Sequence, residues 1–300
     1  MPIQRDEGLS TLLREAEATR VCTRFSFTEG PVWVPADDCL LFSDIPNNRI
    51  HRWRPGMADA EVYRAPSRNS NGLTLDRDGN VLACEHSGRQ ISRAPYGGTE
   101  TTLVDRFDGK KLNSPNDVVV HSSGAIYFTD PTYGIRDSRA TGLEVEQELP
   151  HQGVYRLDAD GTLTLLDASF SQPNGLAFSP DESFLYIGDS QELVVRRFRV
   201  LPVGTLEDGT LFVDMRGHGR SGPPDGMKVD EDGRLWSTGP GGVWVVEPDG
   251  RLLGILAIPA EYPANLTFGG PDFSTLFLTA HTSVYRIETA VRGSAPGSRA

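Results

Sequence analysis

A polar residue followed by a small, polar or apolar one, then a short apolar run, recurs six times in this 300-residue chain. The copies begin at Glu29-Gly30, Asn71-Gly72, Asn116-Asp117, Asn174-Gly175, Asp225-Gly226 and Asn265-Leu266, with spacings of 42, 45, 58, 51 and 40 residues. Each run leads to a turn rich in Asp, Gly or Ser and then to a second apolar run. A unit of this length built from several short strands is the sequence sign of a β-propeller blade, which buries its faces only against neighbouring blades. The expected fold is all-β, a six-bladed β-propeller.

Blade one reads as strands near 31–34, 39–43, 49–53 and 61–64, and blades two to five repeat the pattern. Blade six supplies only three strands, near 266–268, 275–278 and 283–287. Residues 20–25 carry a solitary β pattern and are the expected donor of its missing outer strand, closing the ring without a free edge. The domain division follows: a helical or irregular extension over 1–18 with Ser10 as N-cap, one propeller over 19–290, and a flexible tail over 291–300. Two excursions break the rhythm. Residues 133–152 lengthen blade three as a lid or a plain loop, and 200–209 lengthen the outer part of blade four. An aliphatic residue precedes Arg52, Arg93, Arg156, Arg197 and Arg286 by two in the third strands. The alternation of a strand puts these pairs on one face, so the arginines read as structural tethers.

Composition removes several function classes. Lys and Arg number 29 against 41 Asp and Glu, a net charge of −12, and no basic cluster exceeds two residues. Nucleic acid and anionic membrane are therefore not expected partners. The N-terminal charges (Arg5, Asp6, Glu7, Arg14, Glu15, Glu17) interrupt any signal-peptide core, and no run of eighteen apolar residues occurs. Cys22, Cys39 and Cys84 are odd in number and read as buried thiols rather than a disulfide framework. A cytoplasmic protein is the expectation, with monomer and homodimer both open.

In a propeller the innermost strands line the central channel, so Glu29, Asn71, Asn116, Asn174, Asp225 and Asn265 converge on one mouth. The ends of the second strands (Asp44, Glu85, Asp130, Asp189, Thr238, Thr279) return behind them. A single Asn-Gly pair is usually only a turn; six polar copies in register call for more. Two converging unit charges about 4 Å apart repel by about 4 kcal/mol at an effective dielectric of 20. A divalent cation turns that repulsion into attraction. Oxygen donors of this kind suit Ca²⁺ best, with Mg²⁺, Mn²⁺ or Zn²⁺ as substitutes.

At these residues the chain resembles the SMP-30/gluconolactonase family, which includes regucalcin and the bacterial gluconolactonases. The matching pieces are Phe27-Thr28-Glu29-Gly30-Pro31-Val32-Trp33, Leu112-Asn113-Ser114-Pro115-Asn116-Asp117, Tyr127-Phe128-Thr129-Asp130-Pro131, Gln172-Pro173-Asn174-Gly175 and Pro224-Asp225-Gly226. The resemblance implies one divalent ion, usually calcium, held by Glu29, Asn174 and Asp225, with Asn116 as ligand or as partner through water. Asn71 and Asn265 then fall to second-shell or substrate contacts. Ser114 stands where regucalcin-like animal members carry arginine, so the chain looks like the bacterial type.

The expected activity is metal-assisted hydrolysis of a lactone, a sugar lactone first, by polarisation of the carbonyl and attack of water. Asp225 is the candidate base or water-positioning group, with Asn116 beside it. Asp130 and Asp189 are reserve acids whose alternative role is to hold ligand amides. Tyr133, His86 and His281 border the mouth as substrate contacts. Phosphotriester hydrolysis on the same ion and a non-catalytic binding scaffold are the rival readings. No Gly-x-Ser-x-Gly elbow is present to support a serine nucleophile.

Overall fold

Strands buried on both faces lose the in–out alternation of a surface sheet and read as unbroken runs of apolar and small residues. The run Thr28–Val34 is of this kind, and all seven of its residues are buried. In the computed structural model, which describes residues 3–136, 141–258 and 263–294, it is the innermost strand of a four-stranded antiparallel sheet. Cys39–Asp44, Arg49–Trp53 and the half-exposed Glu61–Arg64 follow outward. Five further sheets repeat this order. Their inner strands are Ser70–Leu75, Val118–Val120, Pro173–Phe178, Met227–Val229 and Asn265–Gly269, and the six sheets form the blades of a propeller.

The hairpins follow local chemistry. Asp76 Oδ1 accepts the backbone N–H groups of Asp78 and Asn80 at 3.0 and 2.9 Å, and Gly79 takes φ +78° to close the turn. Between blades the core is aliphatic and aromatic. Trp33 of blade one stacks on Phe277 of blade six with ring centroids 5.3 Å apart, across the seam where the ring closes. Thr19–Thr23 pairs with Ser283–Glu288 and supplies the outer strand of blade six, so the ends of the chain lock the ring.

The extension departs from the helical reading. Ile3–Asp6 is a strand that adds a fifth, outermost member to blade five by pairing with Leu252–Leu256. Only Leu9–Leu12 is helical, as one 3-10 turn. Its N-cap is Gly8, and Ser10 instead donates its N–H to Asp6 Oδ1. Leu9 and Leu12 pack against Trp236, Leu253 and Leu266, which explains the preference: apolar burial on two blades outweighs the weak helix propensity of a short polar segment. At the other end Gly293 forms an isolated bridge with Asp230, and residues 295–300 of the expected tail lie outside the described residues. A two-stranded hairpin, Arg106–Phe107 with Lys110–Lys111, joins blades two and three.

The third-strand arginines do tether blade surfaces. Arg52 pairs with Glu61, Arg93 with Asp76 and Arg286 with Glu288, while Arg197 lies over the Phe184 and Phe212 rings. All three cysteines are free and buried. Among the described residues no helix is long and apolar enough to cross a membrane.

Candidate active site at the channel mouth

The glycine that follows four of the six ring side chains (Gly30, Gly72, Gly175 and Gly226) turns out to serve contact between blades. A Cβ on Gly30 would stand 1.9 Å from the Asn71 carbonyl oxygen, and one on Gly175 would stand 2.0 Å from that of Asp225. Hydrogen bonds cross at the same points: Gly72 N–H to Asn116 O at 2.8 Å and Gly175 N–H to Asp225 O at 3.0 Å. Glycine is needed because neighbouring backbones meet there, near the axis. In blades one, two and four the pairing register slips at this point, between Glu29 and Val32, Ser70 and Leu73, and Pro173 and Leu176. A β-bulge re-aims the side chain it carries, and Glu29, Asn71 and Asn174 are thereby turned into the mouth.

There they line a cavity of about 390 Å³ together with Asn116 and Asp225. Phe27, Ile45, Pro46, His86, Tyr133 and Pro223 complete its wall. Asn265 is absent from it. Blade six has regular register, Asn265 opposite Thr279, so its amide points sideways and donates to Glu29 Oε2 at 2.9 Å. Glu29 Oε2 also accepts the Gly30 N–H at 2.6 Å.

The second ring lies behind this wall and holds it. Asp44 accepts the N–H groups of Ser26 and Phe27, Asp130 that of Asn113, and Asp189 those of Ser171 and Gln172. In each case the carboxylate braces the lead-in two or three residues before a ring side chain. Thr238 does the same in blade five, its hydroxyl accepting the Asp225 N–H at 3.1 Å. Asp130 and Asp189 therefore face the loops and not the cavity. His281 is exposed and outside the cavity, its ring edge on Phe27 at 5.3 Å between centroids.

Several groups at the site lay outside the sequence reading. Ser190 accepts the Asn174 amide N–H at 2.9 Å and donates to Pro224 O at 2.6 Å, tying blade four to blade five beneath the cavity. Asp117 is buried; its Oδ1 accepts the Val118 N–H, and its Oδ2 has no partner. Its place beside Asn116 in the repeat was the one available signal. Of the apolar wall residues, Phe27 opens the Phe27–Trp33 motif, while Ile45, Pro46 and Pro223 carried no signal.

Burial dominates the electrostatics. It pushes the Glu29 carboxyl up to about 7, against the Gly30 N–H and the Asn265 amide. Burial also raises Asp225 well above the carboxylate range, with Glu29 and Asp117 adding like-charge repulsion. Asp117 is raised by burial and opposed by the Lys228 ammonium. Burial lowers His86 to about 4, so its imidazole is neutral near pH 7, and raises Tyr133 to about 12, so its hydroxyl stays protonated.

Two buried carboxylates, Glu29 and Asp117, and the half-buried Asp225, with the Lys228 ammonium as the one cation offsetting Glu29 and Asp117, constitute a cation-binding environment. The oxygen donors of Glu29, Asp225, Asn174 and Asn116 fit a hard divalent ion. Among the described residues no group of three or more His, Cys, Asp or Glu side chains is placed to hold a metal ion, and the set at the mouth is two carboxylates and two amides.

An all-β ring of six blades, five of four strands and one of five, with acids and amides at one channel mouth defines a class: the propellers that carry a polar ligand site on their axis. Within that class the chain belongs to the SMP-30/gluconolactonase family, because residues 27–282 match the family described as SMP-30/Gluconolactonase/LRE-like region. It is 34% identical to the gluconolactonase of Zymomonas mobilis, over 91% of this chain and 81% of that one. It is 32% identical to a pentonolactonase of Haloferax volcanii, over 84% and 80%. A solved gluconolactonase from Xanthomonas campestris superposes with a TM-score of 0.88 at 34% identity, covering 96% of this chain and 94% of that one.

Proposed function

We propose that this protein is a metal-dependent lactone hydrolase acting on sugar lactones. The observation that carries the reading is the convergence of Glu29, Asp225, Asn174 and Asn116 on one cavity, in a chain whose relatives are named as lactonases. Glu29, Asn174 and Asp225, with Asn116 directly or through water, would hold the ion, Ca²⁺ by preference. Bound there, it would supply Lewis-acid polarisation of the ester carbonyl and charge stabilisation in the transition state.

The remaining work falls to the chain. Ser190 fixes the rotation of the Asn174 amide, so its oxygen is turned away from blade four and towards the cavity. Asn265 and Gly30 both hold Glu29 Oε2, leaving the other oxygen for the axis. Asp225 is placed to orient the attacking water and to receive its proton. The water oxygen bonds to the carbonyl carbon as the C=O π pair moves onto oxygen; when the carbonyl re-forms, the ring C–O bond breaks and the departing oxygen takes the proton that Asp225 received. Tyr133, protonated and next to Ser190, Asn174 and Asp225, is a donor within the wall for substrate oxygen. Asn71 and the neutral His86, which share a 3.3 Å contact, can do the same for ring hydroxyls.

The deciding experiment measures hydrolysis of glucono-δ-lactone by the purified protein before and after EDTA, with Ca²⁺, Mg²⁺ and Mn²⁺ added back. Activity is expected to vanish on chelation and to return with the metal. Unchanged activity in EDTA, or in both Glu29→Ala and Asp225→Ala, would refute the mechanism.

A further inference from the structure

The cavity walls are segregated around the ring. Going round the axis, blades two, three and four contribute Asn71, His86, Asn116, Tyr133 and Asn174, all able to make hydrogen bonds. The arc from blade five through blade six to blade one contributes Pro223, Phe27, Ile45 and Pro46, all apolar, above the carboxylates of Asp225 and Glu29. Hydrogen bonds tie the blade-one part of this apolar arc to the rest of the fold. The Ile45 N–H donates to Phe27 O at 3.1 Å, the Asn69 amide donates to Ile45 O at 2.7 Å, and Asp44 holds the Phe27 N–H. The backbone polar groups of Phe27 and Ile45 are thus spent within the protein, Pro46 and Pro223 have no N–H to offer, and the four side chains show a ligand only carbon. No Lys or Arg lines the cavity among the described residues, and the charges that do are negative.

Such a cavity treats the two sides of a sugar ring differently. A hydroxyl turned to blades two to four finds partners. One turned to Phe27, Ile45 and Pro46 gives up water and receives nothing in return. With the proposed ion's charge balanced by Glu29 and Asp225, a phosphate or sulfonate meets no Lys or Arg to pair it in this cavity. We propose that the site selects uncharged deoxy-sugar lactones, in which hydrogen replaces a hydroxyl on the side facing the Phe27–Ile45–Pro46 arc, over fully hydroxylated and over anionic sugar lactones. This rests on the lactonase reading and narrows it.

The test compares kcat/KM of the metal-loaded protein for glucono-δ-lactone, its 2-deoxy and 6-deoxy forms, and 6-phosphoglucono-δ-lactone. One methyl or hydroxyl in an apolar pocket is worth roughly 10- to 100-fold, so the better deoxy lactone should exceed glucono-δ-lactone by about 10-fold or more. The phosphorylated lactone should fall about 100-fold or more below it on the same argument, with the cost of burying an unpaired charge added. Ile45→Asn, which gives the arc a hydrogen-bonding group, should bring the deoxy-to-parent ratio towards unity; Ile45→Thr serves if the first variant does not fold. Hydrolysis of glucono-δ-lactone at a rate equal to or above both deoxy forms overturns this inference and leaves the lactonase reading standing. So does comparable turnover of the phosphorylated lactone. Failure to hydrolyse any of the four overturns both.

Discussion

Replacing Glu29 by Gln separates the charge at the channel mouth from its shape. Glu29 Oε2 accepts two N–H groups, from Gly30 and Asn265. The glutamine carbonyl can take that place, which turns its NH₂ towards Asp225, a carboxylate able to accept it. In the metal-free protein burial lifts the Glu29 carboxyl from 4.5 to about 7. The folded chain therefore keeps a proton through that window which the unfolded chain has released. Stability from this source is present below pH 4.5 and is lost as the pH rises through 7. A rise of that size corresponds to about 3 kcal/mol at about 1.4 kcal/mol per pKa unit. At about 2.1 cal/mol/K per residue, unfolding of 300 residues carries about 0.6 kcal/mol/K, so the loss is about 5 °C in Tm. At pH 8 in EDTA, Glu29→Gln should thus melt about 5 °C above the native protein. With Ca²⁺ at a hundredfold excess over its Kd the native protein should gain about 2.7 kcal/mol, about 4 °C, and the variant little. Differential scanning calorimetry at pH 5 and 8, with and without Ca²⁺, reads all four states. If metal-free Glu29→Gln is no more stable than the native protein at pH 8, or if Ca²⁺ raises both equally, the buried-charge argument is wrong.

Two other perturbations probe how the site is supported. Asp130 is raised to about 7 by burial, against the N–H groups of Asn113 and Ser114. It too costs stability as the pH climbs from its ordinary 3.8 through 7, by up to about 4 kcal/mol. Asp130→Asn keeps an acceptor for Asn113 and cannot ionise, so urea unfolding at pH 4.5 and 7.5 should show a smaller fall for the variant. An undiminished fall would place the titration elsewhere. Gly175→Ala forces a methyl group onto the Asp225 carbonyl, 2.0 Å away. It should destabilise the fold by about 1–3 kcal/mol, as overpacking does, and weaken Ca²⁺ binding measured by calorimetry. A native Tm together with native affinity would show that the blade contact is not what sets Asp225.

The repeat was legible because a blade is local. Its hairpins are written in turn residues such as Asp76 and Gly79, and its inner strand in an unbroken buried run. The missing strand of blade six could be inferred because a ring has no tolerance for a free edge, and Thr19–Thr23 fills it. Ile3–Asp6 escaped the same reasoning: blade five already had four strands, so nothing called for a fifth, and two charges in four residues masked the β pattern.

At the mouth, the chain alone specified six polar residues at equivalent places, and the glycines beside them looked like turns. Where four of the six point follows pairing register, while Asn116 and Asp225 reach the cavity from just before regularly paired strands. The slips in blades one, two and four turn Glu29, Asn71 and Asn174 inward, while regular pairing in blade six swings Asn265 against Glu29. The apolar arc as a unit had no pattern: Phe27 was legible as the head of a motif, but Ile45, Pro46 and Pro223 were not, since the members come from loops of two non-adjacent blades. Periodicity records what each strand does within its own sheet. The faces that meet across an axis are set by how six sheets close on one another, and that is a property of the ring.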